Sequence, residues 1–373
     1  MSAPAVRHPG EARWETRLLA VTTATLTAFG IASLYAAATM QPNAFGLALG
    51  QVAGAALGGL LLVVASHIDY RYWRVLAWPI LLATIVALLV PLLPFTRGIA
   101  PEVNGARRWI DIGPVNFQPS EVARFAVIVW TAMLAAKKGD AVRGFKKGVA
   151  PFLVVLGAVS GLILLEPNLS MAVLVALIGG VILFTAGAKI GHFLLLGVGA
   201  FFAGLSLIWA ESYRLERLRC FLEPCEGGDY QLTQALTGFG AGGAFGVGFG
   251  HGQLKMLYLP YAYSDFLFST IGEEWGFLGV LIVIALFTVF CWLGFRIARG
   301  APDPFGQYLA AGITASVALS AVLHMLVTVG LMPTTGLSLP FMSHGRSGLL
   351  IALLSVGVLV NIGRMRGRPP RSV

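Results

Sequence analysis

Ten long apolar segments, separated by polar connections, constrain the fold of this chain more than any other feature of its sequence. Crossing the ~30 Å hydrocarbon core of a bilayer takes ~20 mostly apolar residues in an α-helix, and each segment approaches that length. Only 12% of the 373 residues are charged, against about 25% in ordinary soluble domains. We therefore predict an all-α, polytopic membrane protein in which residues 1–373 form one transmembrane domain. The predicted spans are 18–40, 46–66, 75–93, 119–136, 149–166, 169–187, 191–210, 266–293, 306–330 and 345–363.

The distribution of Lys and Arg predicts how these spans are oriented. Loops rich in Lys and Arg stay on the cytoplasmic side of a membrane, whereas acidic residues matter little. With ten spans and both termini in the cytoplasm, 17 of the 26 Lys and Arg residues fall on the cytoplasmic side. The formal net charge of +9 is thus a topology signal, and we expect no nucleic-acid partner. The apolar run after Arg17 exceeds the ~7–15 residues of a signal-peptide core, so we expect it to remain as the first span.

Two extracytoplasmic loops are long enough to form a site: 94–118, and 211–265 before the eighth span. The second loop carries Cys220 and Cys225, whose spacing allows a disulfide in the oxidising compartment outside the membrane. Two free thiols are the alternative that the sequence leaves open. Cys291 lies in an apolar segment and is interpreted as a packing residue. Because no Cys or His cluster has the spacing of metal ligands, we expect no structural zinc site.

Asp265 stands at the outer end of the eighth span, just after a glycine-rich run. An ionisable group is expensive to dehydrate at a membrane, so its presence there is typical of a functional residue. Eight of the fifteen residues from 238 to 252 are glycine, and such a run is a poor helix. At membrane depth this backbone is tolerated where it is buried in protein or lines a wet cavity, and we favour the cavity. A phosphate-binding nest is less favoured because the Lys-Ser/Thr signature of a nucleotide loop is missing.

Other charged residues lie at the outer ends of the remaining spans. Glu121 and Arg124 are three residues apart after the helix start at Pro119, so they share a helix face and can form an ion pair. Arg107 and Arg108 precede this helix. A purely structural interpretation, with a stabilising ion pair and arginines that reach the interface, is an even alternative to a binding role.

Two further segments interrupt the apolar pattern on the same side. Glu166 and Pro167 end the fifth span, and taken alone they indicate a turn. Residues 330–347 are half apolar but rich in Pro and Gly, which favours a re-entrant or cavity-lining segment over a plain loop. Ser343 in this segment has histidines nearby in sequence, but no nucleophile-elbow pattern accompanies them, so a hydrolase triad is not expected.

These segments resemble, in order and over nearly all spans, the SEDS family that includes RodA, FtsW and SpoVE. The resemblance implies a peptidoglycan glycosyltransferase that polymerises lipid II on the outer face of the bacterial cytoplasmic membrane. It also implies a class B penicillin-binding transpeptidase as partner, with other divisome or elongasome membrane proteins, and details at 246–250 and 255–260 are closer to FtsW. The segments that carry the resemblance are 104–124, Glu166-Pro167, 238–266 with Glu273-Glu274, and 333–343.

The resemblance identifies Asp265 with the family's essential aspartate, and we expect it to act as the general base on the acceptor sugar hydroxyl. The departing pyrophosphate needs positive charge, and a divalent cation, Mg or Mn, held by Asp265 or Glu166 could contribute. No organic cofactor is expected. The predicted substrate-binding residues are Arg107, Arg108, Glu121, Arg124, Lys255, Glu166 and Ser343.

The chain also departs from the usual family pattern. Asn168 stands where the family usually has Asp, Tyr261 and Tyr263 replace Glu and His, and Arg124 replaces Lys. These changes keep open a catalytically inactive scaffold for the transpeptidase as an alternative. A lipid II flippase is another alternative, but it predicts polar residues throughout the membrane depth, whereas here they gather at one face.

Overall fold

The computed structural model describes residues 9–103, 105–112, 115–209, 215–216, 218–219, 230–260 and 262–366. Helices make up most of this part of the chain, as its apolar segments predict. The cysteines of the predicted 220–225 disulfide lie outside the described residues. The helices are α1 (Pro9–Ala38), α2 (Ala44–His67), α3 (Arg71–Leu89), α4 (Pro119–Lys138), α5 (Ala150–Leu165), α6 (Leu169–Thr185), α7 (Ile190–Trp209), α8 (Tyr230–Gly242), α9 (Leu267–Arg299), α10 (Pro304–Thr328) and α11 (Arg346–Arg364).

Among the described residues, eight helical segments are long and apolar enough to cross a membrane. The predicted spans 169–187 and 191–210 coincide with two shorter apolar helices, Leu169–Thr185 and Ile190–Ser206. The all-α, polytopic architecture is therefore confirmed. The number of ten spans and their orientation stay predictions.

Helix α4 lies at the centre of the bundle. Of its apolar stretch 83% is buried, because it packs against α3, α6 and α10. Its Trp130 is only 2% exposed, and the rings of Trp78 and Phe152 meet it edge-on at 5.5 and 6.0 Å. Helix α2 is 22% buried, so most of its apolar surface is left for lipid.

Close helix packing depends on small residues, as expected where lipid removes the hydrophobic drive for association. A Cβ added at Gly357 of α11 would lie 2.4 Å from the carbonyl oxygen of Leu62 in α2. Any side chain at position 357 would therefore force these two helices apart.

An ionic cluster joins three helices at one face of the bundle, where α1 begins and α9 and α11 end. Glu15 is 1% exposed and forms ion pairs with both Arg296 and Arg366. Arg366 also donates a hydrogen bond to the Arg296 carbonyl. Since a lone buried carboxylate is costly, the two guanidiniums are what allow Glu15 to be buried.

At the opposite face the connection between α3 and α4 folds into a small antiparallel hairpin, which the sequence analysis did not predict. Its strands are β1 (Ile110–Ile112) and β2 (Val115–Phe117). The hydroxyl of Ser347 donates to the carbonyl of Asn116 at 3.0 Å and accepts from the N–H of Gln118 at 3.2 Å. The hairpin is thereby attached to the first turn of α11.

Candidate active site

Asp265 lies two residues before α9, in the turn 262–266 that leads into the helix. Its side chain is half-buried. The N-terminal end of a helix carries a partial positive charge, which favours a carboxylate at this place. A Cβ added at Gly336 would lie 3.9 Å from Oδ2 of Asp265. The segment 333–345 therefore passes beside the Asp265 carboxylate. Gly336 is the residue that approaches it, and glycine has no side chain to occupy the space next to Oδ2.

Ser343 holds that segment against the turn that carries Asp265. Its hydroxyl donates to the carbonyl of Ser264 at 2.7 Å and accepts from the N–H of Leu339 at 3.0 Å. The side chain of Gln51 in α2 donates to the Ser343 carbonyl at 3.1 Å. Ser343 is 5% exposed, so these buried bonds hold the segment 339–343 against Ser264, the residue before Asp265. The predicted contact of Ser343 with substrate stays a prediction.

Tyr263 and His344 make a second link between the same two segments. The N–H of His344 donates to the Tyr263 carbonyl at 3.1 Å, and the two rings meet edge-on at 5.7 Å. Burial, reinforced by the Arg346 guanidinium, lowers the pKa of His344 below its usual range. Burial therefore favours the neutral imidazole, which suits packing against an aromatic ring.

The glycine-rich run pairs with a break in α9. Gly276 has φ 64° and ψ −163° inside that helix, a conformation that glycine adopts most readily. The N–H groups of Val247 and Gly248 are engaged by α9 carbonyls, so they are not a free nest for phosphate. The four backbone bonds are Val247 to Glu273 (3.0 Å), Gly248 to Glu274 (3.1 Å), Phe277 to Gly243 (2.9 Å) and Leu278 to Ala244 (3.2 Å).

Glu273 and Lys255 fix the chain between the glycine-rich run and Asp265. The Glu273 carboxylate accepts the N–H of Gln253 at 2.6 Å and that of Leu254 at 3.2 Å. It therefore satisfies the start of the short π-helix Leu254–Tyr258, whose first N–H groups have no partner within that helix. Lys255 is 7% exposed, and its ammonium donates to the Gly250 carbonyl. This placement favours a structural role for Lys255 over the predicted contact with a leaving group.

Arg107 and Arg108 organise the outer loop in different directions. Arg107 donates to the carbonyls of Ala100 and Leu93 at 2.9 and 3.0 Å, which closes the loop on itself. Arg108 donates to the carbonyls of Glu166 and Pro167. Arg108 thus joins this loop to the turn between α5 and α6, and two of the predicted site residues, Arg108 and Glu166, come together.

Glu166 is the most unusual carboxyl group of the site. It is fully buried, and among the described residues neither carboxylate oxygen has a hydrogen-bond partner. Burial raises the pKa of Glu166 to about 8, and the nearby Arg108 opposes that shift. The following Pro167 has φ 28°, a strained value for proline. At neutral pH this carboxyl group is mostly protonated.

Glu121 and Arg124 form the predicted ion pair at 2.9 Å. They are 5% and 9% exposed, and Arg124 also donates to the hydroxyl of Ser320 in α10 at 3.2 Å. Arg124 and Ser320 thus tie the first turns of α4 to α10. A cavity of about 10 Å³ lies beside Arg124, enough for roughly one water. The ion pair and the bond to Ser320 fit the structural interpretation, and the binding role of Glu121 and Arg124 stays a prediction.

The structure adds two residues to which the sequence analysis gave no role. Gly336 leaves space beside Asp265, and Glu273 caps the segment that precedes it. A signal for Glu273 was present, since a carboxylate in the first turns of an apolar helix needs a nearby partner. Gly336 carried no such signal, because its neighbour Asp265 is 71 positions away in sequence.

Comparison with known proteins places the chain in a family. The family model described as "Cell cycle protein", FTSW_RODA_SPOVE, matches residues 14–367. A relative from Trichlorobacter lovleyi, named "Probable peptidoglycan glycosyltransferase FtsW", is 40% identical over 346 residues, with 90% of each chain covered. The "Stage V sporulation protein E" of Bacillus subtilis is 34% identical over 355 residues, with 93% of this chain and 96% of that protein covered.

Solved structures share the same fold. A chain in a structure described as "Structural coordination of polymerization and crosslinking by a peptidoglycan synthase complex" is 27% identical and has a TM-score of 0.80, with 94% of this chain and 98% of that chain covered. RodA of Thermus thermophilus is 27% identical with a TM-score of 0.70, and 94% and 97% of the two chains are covered. This protein therefore belongs to the FtsW, RodA and SpoVE family of multi-pass bacterial inner-membrane proteins.

Proposed function

We propose that this chain is a peptidoglycan glycosyltransferase that polymerises lipid II on the outer face of the inner membrane, with Asp265 as the general base. The relatives' names support the reaction class. The assignment of the base depends on the position of the half-buried Asp265 carboxylate. Ser343 braces the turn that carries it, and Gly336 lies next to it. A carboxylate on a braced turn, with an exposed glycine beside it, can take up a proton from a substrate.

The reaction needs one displacement. The 4-hydroxyl oxygen of the acceptor sugar forms a bond to the anomeric carbon of the donor while the bond to the lipid pyrophosphate breaks. Asp265 takes the hydroxyl proton, and the pyrophosphate leaves with the bonding electrons. General base catalysis of this kind contributes about 10²–10⁴-fold in rate. An inverted, β-linked product follows from an α-linked donor, so no nucleophile of the protein is required.

Among the predicted cations, Arg107 and Arg108 are the best placed to meet the pyrophosphate. All four side chains are bonded within the protein, but Arg107 and Arg108 are half-buried on the outer loop, whereas Arg124 and Lys255 are only 9% and 7% exposed. Arg108 also lies next to Glu166. Guanidinium groups bind phosphate oxygens through paired N–H donors, so the two arginines suit charge developing on the leaving group.

A divalent cation, Mg or Mn, would be held by Asp265 or Glu166. Among the described residues no group of three or more His, Cys, Asp or Glu could hold a metal ion on its own, which fits a cation bound by one carboxylate and by pyrophosphate oxygens. The two unpartnered oxygens of Glu166 fit such an ion, and binding would release the proton that burial retains there. The cation would neutralise charge on the leaving pyrophosphate.

The proposed partner is a class B penicillin-binding transpeptidase, and we favour a septal role with other division proteins. Support comes from the structural neighbour described as a peptidoglycan synthase complex and from relatives named FtsW. The proposed ligand of the site itself is lipid II.

The test is polymerisation of lipid II by the purified full chain in liposomes, with and without the transpeptidase and a divalent cation. Asp265→Asn and Asp265→Ala should lower the rate by about 100-fold or more, whereas Glu102→Gln, at an exposed carboxylate of the same face, should leave it unchanged. Equal rates for all four proteins would remove Asp265 as the base. No product from wild type, with transpeptidase binding intact, would favour the scaffold alternative.

A further inference from the structure

The face opposite Asp265 carries a dense group of exposed cations. Lys137, Arg143, Lys146 and Lys147 are all exposed within eleven residues, at the end of α4 and in the connection to α5. The acidic residue among them is Asp140. These cations lie at the ends of two membrane-spanning segments, Pro119–Arg143 and Phe145–Leu165, and hence at the depth of lipid headgroups.

The connection that carries these cations has a fixed shape. Val142 is fully buried beneath it, and the ammonium of Lys138 donates to the Lys147 carbonyl. A Cβ added at Gly148 would lie 2.3 Å from the Ala141 carbonyl oxygen, which shows how tightly the connection folds back. Residues Phe145–Val149 form a π-helical turn that leads into α5. The backbone that carries the cations therefore has a fixed shape, which keeps their Cα atoms close together.

The turn between α6 and α7 extends this surface. The rings of Phe145 and His192 are 5.5 Å apart, so the two connections lie side by side. The second contributes exposed Lys189 and the apolar Ile190, which is 65% exposed. Phe145 itself is 40% exposed. We call the surface formed by residues 137–147 and 189–190 the basic platform.

We propose that the basic platform is a binding site for the headgroup of an anionic phospholipid in the leaflet opposite Asp265. Like charges held in a rigid loop repel one another, and a phosphodiester between them removes that repulsion. The exposed Phe145 and Ile190 favour a lipid over a soluble anion, because both side chains can enter the acyl boundary beside the headgroup. An orientation signal alone would need the cations but neither the fixed loop nor the exposed apolar side chains.

The test is titration of phosphatidylglycerol, and separately of phosphatidylcholine, into the full chain in neutral detergent, with bound lipids counted by native mass spectrometry. Lys146→Gln/Lys147→Gln should weaken phosphatidylglycerol binding by roughly 30-fold, since each cation near an anionic headgroup contributes about a factor of 5. Arg74→Gln/Arg299→Gln removes the same charge from two other exposed positions and should leave binding unchanged.

A second variant, Arg143→Gln/Lys189→Gln, should weaken phosphatidylglycerol binding similarly, so the test does not depend on correct folding of the first variant. The melting temperature of each variant is compared with that of wild type. Equal binding by the platform and control variants would overturn the proposal and leave the cations with an orientation role. Equal binding of the two lipids by wild type would also overturn it.

Discussion

The Glu121 and Arg124 pair allows a structural role to be separated from a substrate role. Glu121→Gln keeps the shape of the side chain but removes the negative charge that pairs with Arg124. Arg124 is 9% exposed and would keep only its hydrogen bond to the Ser320 hydroxyl at 3.2 Å among the contacts described above. Breaking a buried pair in this way costs about 3–5 kcal/mol, because one charge stays buried without its partner. Arg124→Met should lower the free energy of unfolding by a similar amount, because it leaves the buried Glu121 carboxylate without its partner. The double variant Glu121→Gln/Arg124→Met removes both charges and should therefore be much closer in stability to wild type than either single variant.

The assay is unfolding of the purified chain in mixed micelles of rising SDS fraction, with lipid II polymerisation measured on the same samples. A double variant that is nearly as stable as wild type and equally active would assign the pair to structure alone. A stable but inactive double variant would add a role in substrate binding. The reasoning fails if the destabilisation of the double variant equals the sum of the two single variants, because the two charges would then not depend on each other.

Further predictions concern the surroundings of Asp265 and Glu166. Gly336→Val should lower the polymerisation rate without lowering the melting temperature, since the added side chain would enter the space beside the Asp265 carboxylate. Ser343→Ala removes a donor to the Ser264 carbonyl and should lower both turnover and stability, the latter by about 1–3 kcal/mol, as measured by SDS unfolding. Because burial raises the pKa of Glu166 from 4.5 to about 8, the folded chain binds a proton that the unfolded chain has lost. Stability should therefore fall as pH rises from about 4.5 to about 8, and Glu166→Gln should flatten that profile.

The helical architecture and the Glu121 and Arg124 pair follow from local rules, which is why the sequence predicts them. The length of an apolar run decides whether a helix can cross a bilayer. Residues three apart on a helix meet whatever the rest of the chain does, and here they do so at 2.9 Å. Glu166 was predicted as a substrate-binding residue and metal ligand at a turn, but its complete burial was not predicted.

The remaining features depend on contacts between residues far apart in sequence. The hydrogen bond between Ser343 and Ser264 joins positions 79 residues apart, and no periodicity in either segment encodes it. The glycine-rich run was predicted to line a cavity, which stays a prediction. The structure adds that residues 243–248 pair with α9 across its break at Gly276. Lys255 was expected to meet a leaving group. In the structure it is 7% exposed and donates to the Gly250 carbonyl, and its contact with a leaving group stays a prediction. Local patterns in the sequence encode none of these contacts.

The ionic cluster around Glu15 has a consequence for the order in which the bundle is completed during synthesis. Glu15 belongs to the first helix, and its partner Arg366 follows 351 residues later. At about 5–20 residues per second, roughly 20–70 s separate the synthesis of the two. Glu15 can pair with Arg296 earlier, but its contact with Arg366 cannot form until the last helix has been synthesised. Closure of the bundle is thus a late event in synthesis.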